Sequence, residues 1–131
     1  MLQSVNAPIA KFAELINVNL GTVVRRITLE IFNSITRRTP VKTGRAQSSW
    51  QVSEKTLPLT VPAPGTYSGP DAAAAAAAAK VTGTTEIYIV SNLDYIEALE
   101  NGHSEQAPIG MVAVSLAETV ARINLMVDKL S

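Results

Sequence analysis

Residues 6–38, NAPIAKFAELINVNLGTVVRRITLEIFNSITRR, decide the fold. Apolar side chains recur at Ile9, Phe12, Ala13, Ile16, Leu20, Val23, Val24, Ile27, Ile31 and Ile35. That three-or-four spacing lines them along one face of an α-helix. Asn6 suits the cap with Pro8 in the first turn, and Arg37 and Arg38 stand where the helix dipole favours cations. Pro40 then turns Thr39 away from helical dihedrals and Gly44 supplies the turn. The pattern predicts one long amphipathic helix ending near Arg38, with Ile16, Val23 and Ile27 in the core.

Beyond it, Ser48, Trp50 and Val52 alternate with polar neighbours over 47–55, the period of a strand with Trp50 on its buried face. Pro58, Pro62, Pro64 and Gly65 leave residues 57–69 as a Pro/Gly-rich loop or extended edge. The run Ala72–Ala79 is punctuated as a helix, with Pro70 and Asp71 at its start, Lys80 at its end and Gly83 beyond. Such a short helix needs a packing partner, which alanine's small side chain lets approach closely. Thr84–Ser91 is the clearest strand, Ile87 and Ile89 on one face and Tyr88 and Val90 on the other. Asn92 can cap a short helix carrying Tyr95, Ile96 and Leu99, with Tyr95 counted in the core and Gly102 at the stop. Val112, Leu116, Val120, Ile123, Val127 and Leu130 then predict a C-terminal amphipathic helix whose first turns could instead be strand. The expected class is α+β: a long N-terminal helix and a C-terminal helix on a small, mainly antiparallel sheet, plus a short Ala-rich helix.

At 131 residues, 47% of them apolar and 17% charged, the chain reads as one folded domain over 1–131 with much apolar surface to hide. Association with copies of itself is a natural outlet. Cysteine is absent, which excludes disulfides and thiolate metal sites. The N-terminus does not read as a secretory signal, and no apolar run approaches the length of a bilayer span, so no membrane partner is expected.

Formal net charge is zero, without the overall basic excess of a free-standing nucleic-acid binder. The charges are unevenly spread. Eight Lys or Arg and three carboxylates lie at or before Lys55, against three and eight beyond it. Either the two halves pair within the fold, or a basic patch meets an acidic patch on an adjacent identical subunit. In the second case Lys42 and Arg45 on the turn face Asp94, Glu97 or Glu100 of the neighbour.

Catalytic chemistry finds little support. The single histidine, His103, lacks the companion ligands of a zinc site. Its neighbours Ser104 and Glu105 have neither triad geometry nor the glycines of a nucleophile elbow. Asp94, Glu97 and Glu100 share a helical face without further ligands, the pattern of a solvated or salt-bridged surface. Gly44 and Gly102 belong to no phosphate-cradling loop. No enzymatic activity, metal or cofactor is expected.

Two stretches carry a resemblance. Thr39-Pro40-Val41-Lys42-Thr43-Gly44-Arg45, and Asn92-Leu93-Asp94-Tyr95-Ile96 running through Leu99-Glu100-Asn101-Gly102 to Gln106-Ala107-Pro108-Ile109-Gly110-Met111, resemble recurring motifs of the neck and tail-completion proteins of tailed bacteriophages. In that family a long helix ends at a Thr-Pro-Val-x-Thr-Gly turn, and a later strand leads into Tyr, Leu-Glu-x-Gly and Gln-Ala-Pro-x-Gly-Met. An aromatic often stands where this chain has His103. The resemblance implies a virion structural protein, made in the host cytoplasm. It would form a homo-oligomeric ring at the head-tail junction, between a head-tail connector and tail-tube or terminator proteins, with the genome passing through unread. A tail terminator or another head-tail adaptor is the nearest alternative. From the residues alone, a small intracellular nucleic-acid-binding protein using Arg25, Arg26, Arg37, Arg38 and Lys42 is the alternative of another class.

Overall fold

The computed structural model describes residues 9–83, 86–101 and 110–130. Along the chain these form α1 (Ile9–Ile16), α2 (Leu20–Arg38), α3 (Arg45–Ser48), β1 (Gln51–Glu54), α4 (Ala72–Ala78), β2 (Ile87–Val90), α5 (Ile96–Glu100) and α6 (Val112–Leu130). The two strands pair antiparallel, Gln51 opposite Val90 and Glu54 opposite Ile87. The class is α+β, with α4 against β1 and α2, and α6 against α2 and α1.

The expected single N-terminal helix is two helices. Asn17 takes a left-handed conformation at φ +55°. The Val18 and Asn17 N–H groups then donate back to the Ala13 and Glu14 carbonyls at 3.1 and 3.2 Å, the paired bonds of a Schellman stop. Two residues on, the Asn19 side chain accepts from the Gly21 and Thr22 N–H groups and caps α2. The break lets α1 pack on both α2 and α6. It leaves Leu20, part of the expected stripe, exposed at the new helix start. The proposed cap at Asn6 and Pro8 lies outside the described residues.

Val23, Ile27, Ile31 and Ile35 of α2 are buried as the periodicity required, Phe32 is buried beside them, and Ile16 is half-buried against the same core. Trp50 is 2% exposed, but it precedes the strand. Gly44, at φ +84°, starts a helical turn over Arg45–Ser48, so the strand expected from residue 47 begins only at Gln51. The Trp50 indole N–H donates to Thr39 Oγ1 at 2.9 Å, and that hydroxyl donates to the Ile35 carbonyl at 2.7 Å. The indole's one polar atom is thereby satisfied within the core.

α4 forms as its ends foretold, with one shift. Asp71 is the cap itself, its carboxylate accepting from the Ala74 N–H at 2.9 Å, and Pro70 stands outside the helix. Ala74 and Ala78 are buried. Ile87 and Ile89 are half-buried and pack against the core. α6 is helical from Val112, with no initial strand, but its buried line is Val112, Ser115, Thr119 and Ile123. Ser34 Oγ donates to Ser115 Oγ at 2.8 Å, and Thr119 Oγ1 to the Ser115 carbonyl. Small hydroxyl side chains that bond one another can occupy this α2–α6 seam without an orphaned polar atom. Val120 is therefore only half-buried, and Leu125, Met126 and Leu130 are exposed.

Two further expectations are corrected. Tyr95 is exposed, at 38%, because it occupies the cap position of α5 while Leu93 and Ile96 on either side turn inward at 4% each. Asn92 does not cap that helix. Its amide reaches the Pro58 and Thr60 carbonyls.

Candidate subunit interface

The turn after α2 is fastened from within. Thr39 serves Trp50, as above, and the Tyr67 N–H donates to the Thr43 carbonyl at 2.7 Å. A Cβ on Gly44 would collide with the Tyr67 carbonyl, so both the left-handed backbone and the close approach require glycine here. The Arg45 Nε–H donates to the Pro62 carbonyl at 3.0 Å. Arg45, half-buried, thus acts as a strut between the turn and the 57–69 loop. Lys42 is exposed, as is Val41 beside it at 51%.

The acidic side divides in the same way. Glu100 is 7% exposed, and its carboxylate accepts from the N–H groups of Met111 at 2.8 Å, Val112 at 2.8 Å and Ala113 at 3.0 Å. These are the otherwise orphaned donors at the start of α6, where a negative charge is also favoured by the helix dipole. Glu100 is therefore an intrachain cap, buried away from the surface where an interface was expected to use it. Asp94 and Glu97 are exposed, with exposed Tyr95 next to Asp94. The structure thus leaves Val41–Lys42 and Asp94–Tyr95 as two surface corners of opposite charge, each with an apolar or aromatic neighbour.

Part of the charge asymmetry is resolved inside the molecule. Arg38 clasps Glu118 through both carboxylate oxygens at 2.7 and 2.8 Å, and Arg122 meets Glu30 at 3.3 Å. Both pairs bridge α2 and α6 near the surface, where each contributes about 0–1 kcal/mol. Arg25 reaches the Val81 carbonyl and Thr22. Glu54 accepts from the Thr82 N–H at 2.7 Å, the Thr82 hydroxyl at 2.9 Å and the Gly83 N–H at 3.1 Å. The Thr82 N–H does most to hold the Glu54 carboxyl below its ordinary value; partial burial opposes it, and the Thr82 hydroxyl, the Gly83 N–H and the Lys55 charge assist. Arg26 and Arg37 remain exposed. Eleven residues apart, they fall on one face of α2.

Sequence reasoning missed the side chains that organise the loop. The carbonyls of Pro58, Thr60 and Pro62 are held by Asn92, by Gln51 together with Asn92, and by Arg45 respectively. Three polar residues from three separate places in the chain carry no periodic signal, so only tertiary proximity reveals them. A groove of about 350 Å³ between this loop, β1 and the start of α4 is lined by Gln51, Val52, Thr60, Pro62 and Ala74 among others. It is only partly enclosed, and no buried side-chain polar atom among the described residues lacks a partner. Among those residues, too, no group of three His, Cys, Asp or Glu could hold a metal ion, and no helix is long and apolar enough to cross a membrane. Gly102, His103, Ser104 and Glu105 lie outside the described residues, as does the Gln106–Ile109 part of the second motif. Comparison of the chain with family models, curated proteins and solved structures finds no match.

Proposed function

We propose that this chain is a structural virion protein of a tailed bacteriophage that forms a homo-oligomeric ring at the head-tail junction, joining tail to head and leaving a channel for the genome. The observation that carries the reading is the pair of opposite corners. One lies in each of the two sequence stretches that resemble the neck and tail-completion family. Val41–Lys42 and Asp94–Tyr95 are exposed, although the residues around them in the same motifs are spent on internal bonds. Two different, complementary patches on one chain make a head-to-tail contact, which closes into a ring when the rotation between neighbours divides a full turn. Rim charges of this kind set register and suppress wrong partners more than they add affinity.

In this role the protein needs no catalytic group, metal or cofactor. DNA passing through the ring would meet backbone-directed charge, with no base-reading element. The nucleic-acid-binding alternative has one of its five cations taken up by an ion pair, since Arg38 is clasped by Glu118. Native mass spectrometry with negative-stain imaging of the purified chain tests the proposal. Closed rings or stacked tubes are expected. A monomer that shifts duplex DNA with steep salt dependence would replace it with the alternative.

A further inference from the structure

We propose that the Leu57–Val61 segment is an assembly arm that adds as a third strand to the open edge of β2 in a second copy of this chain. The arm is fixed from one side only. Its carbonyls at 58, 60 and 62 are taken by Asn92, Gln51 and Arg45, whereas Leu57, Leu59 and Val61 make no hydrogen bond among the described residues and are 48%, 79% and 49% exposed. The prolines stand at 58 and 62, so the residues lacking an N–H are on the held positions. Each open position keeps both a donor and an acceptor. A segment fastened in this way has met much of its ordering cost before a partner arrives.

The receiving edge is on the same chain. Ile87–Val90 makes its backbone ladder with β1, and no backbone hydrogen bond on its other side occurs among the described residues. A two-stranded ribbon is marginal by itself, and an open edge is a template for another strand. Edges that must stay unpaired are commonly guarded by charge, yet no charged residue occurs between Lys55 and Asp71 or from Ile87 to Leu93. The arm does not lie along its own β2, because Gln51, Asn92 and Arg45 hold it elsewhere.

The proposed addition is parallel. Lys55 precedes the arm and Glu86 precedes β2, both exposed. Within one chain the Lys55 N–H already donates to the Glu86 carbonyl at 3.0 Å and the Tyr88 hydroxyl to the Glu86 carboxylate at 2.6 Å, which leaves the backbone groups of Ile87 and Ile89 facing the open edge, where a parallel arm meets them with Leu57 and Leu59. In the parallel register Leu57 faces Tyr88 and Leu59 faces Val90. Strand addition gives affinity through the main chain and specificity through alternate side chains. Because arm and edge are different surfaces, the contact repeats head to tail. Closure into a ring rests on the function proposed above; the arm contact itself does not.

The absence of cysteine from the chain makes the test clean. Leu57→Cys and Tyr88→Cys chains, mixed in equal amounts and mildly oxidised, should give a disulfide-linked dimer of unlike chains at several-fold higher yield than either alone or than Val61→Cys mixed with Tyr88→Cys. Leu59→Lys, at a position too exposed to affect folding, should move the particle to monomer mass with an unchanged circular dichroism spectrum. Like-with-like cross-linking of Leu57→Cys would overturn the arm-to-edge contact. Rings that persist in Leu59→Lys without the unlike cross-link overturn the arm and spare the ring. Cross-linked chains that grow as open filaments keep the arm and overturn the ring.

Discussion

Trp50 is the only tryptophan, and its 2% exposure with the indole N–H on Thr39 makes it both the largest core side chain and a built-in probe. Trp50→Ala should cost about 3–5 kcal/mol through lost burial and the cavity left behind. Chemical denaturation followed by circular dichroism reads that loss. The native emission should be blue-shifted and unquenched by iodide; a water-exposed maximum would contradict the placement. Glu100 tests a different physics. Replacing it by Ala strips three backbone N–H groups of their acceptor in a buried place, at about 1–3 kcal/mol, whereas Asp94→Ala on the surface nearby should stay within about 0.5 kcal/mol. Equal melting temperatures for the two variants would mean that Glu100 is not the cap of α6.

At the level of elements, the Asn17–Asn19 joint sets where α1 lies. Asn19→Ala removes the side-chain acceptor for Gly21 and Thr22 and should cost about 0.5–2 kcal/mol, with fraying confined to the start of α2 by amide exchange. The tie between β1 and the Thr82–Gly83 turn makes its own pH prediction. Because the folded-state pKa of Glu54 is depressed below the ordinary value of 4.5, its contribution is present above that value. It is lost as pH falls through the lower folded value. The stability gap between the native chain and Glu54→Gln should therefore be constant near neutrality and narrow only below about pH 4.5, the unfolded value. A gap independent of pH down to acid unfolding would show that the carboxylate charge plays no part.

For the whole molecule, two exposed corners of opposite charge are what a subunit contact would use. Lys42→Glu should weaken assembly, and Asp94→Lys in the same chain should restore part of it. Each rim pair contributes only about 0.2–1 kcal/mol, so the effect accumulates around the particle and is largest at low salt. Sizing chromatography at two ionic strengths, with circular dichroism to show an intact monomer, reads the result. Normal assembly of Lys42→Glu at both strengths would remove Lys42 from the contact.

The sequence by itself determined the elements whose signal is local or periodic. The buried face of α2 follows from its three-or-four apolar spacing, α4 from alanine propensity and its end residues, and β2 from its β-branched and aromatic run. Burial of Trp50 was expected from a strand alternation that the structure does not have there; it is buried at the junction of α3 and β1 instead. Asn17 and Asn19 could have been read as a stop and a start, but the uninterrupted apolar spacing across them outweighed two polar residues. Only the tertiary structure decided which face of α6 is buried. Ser115 and Thr119 fill the seam because α2 offers Ser34 at that height, a match between residues about eighty apart that no window along the chain contains. The roles of Arg45 and Glu100 belong to the same class: a charged side chain looks like surface until the chain brings a carbonyl or a bare helix end within hydrogen-bonding distance.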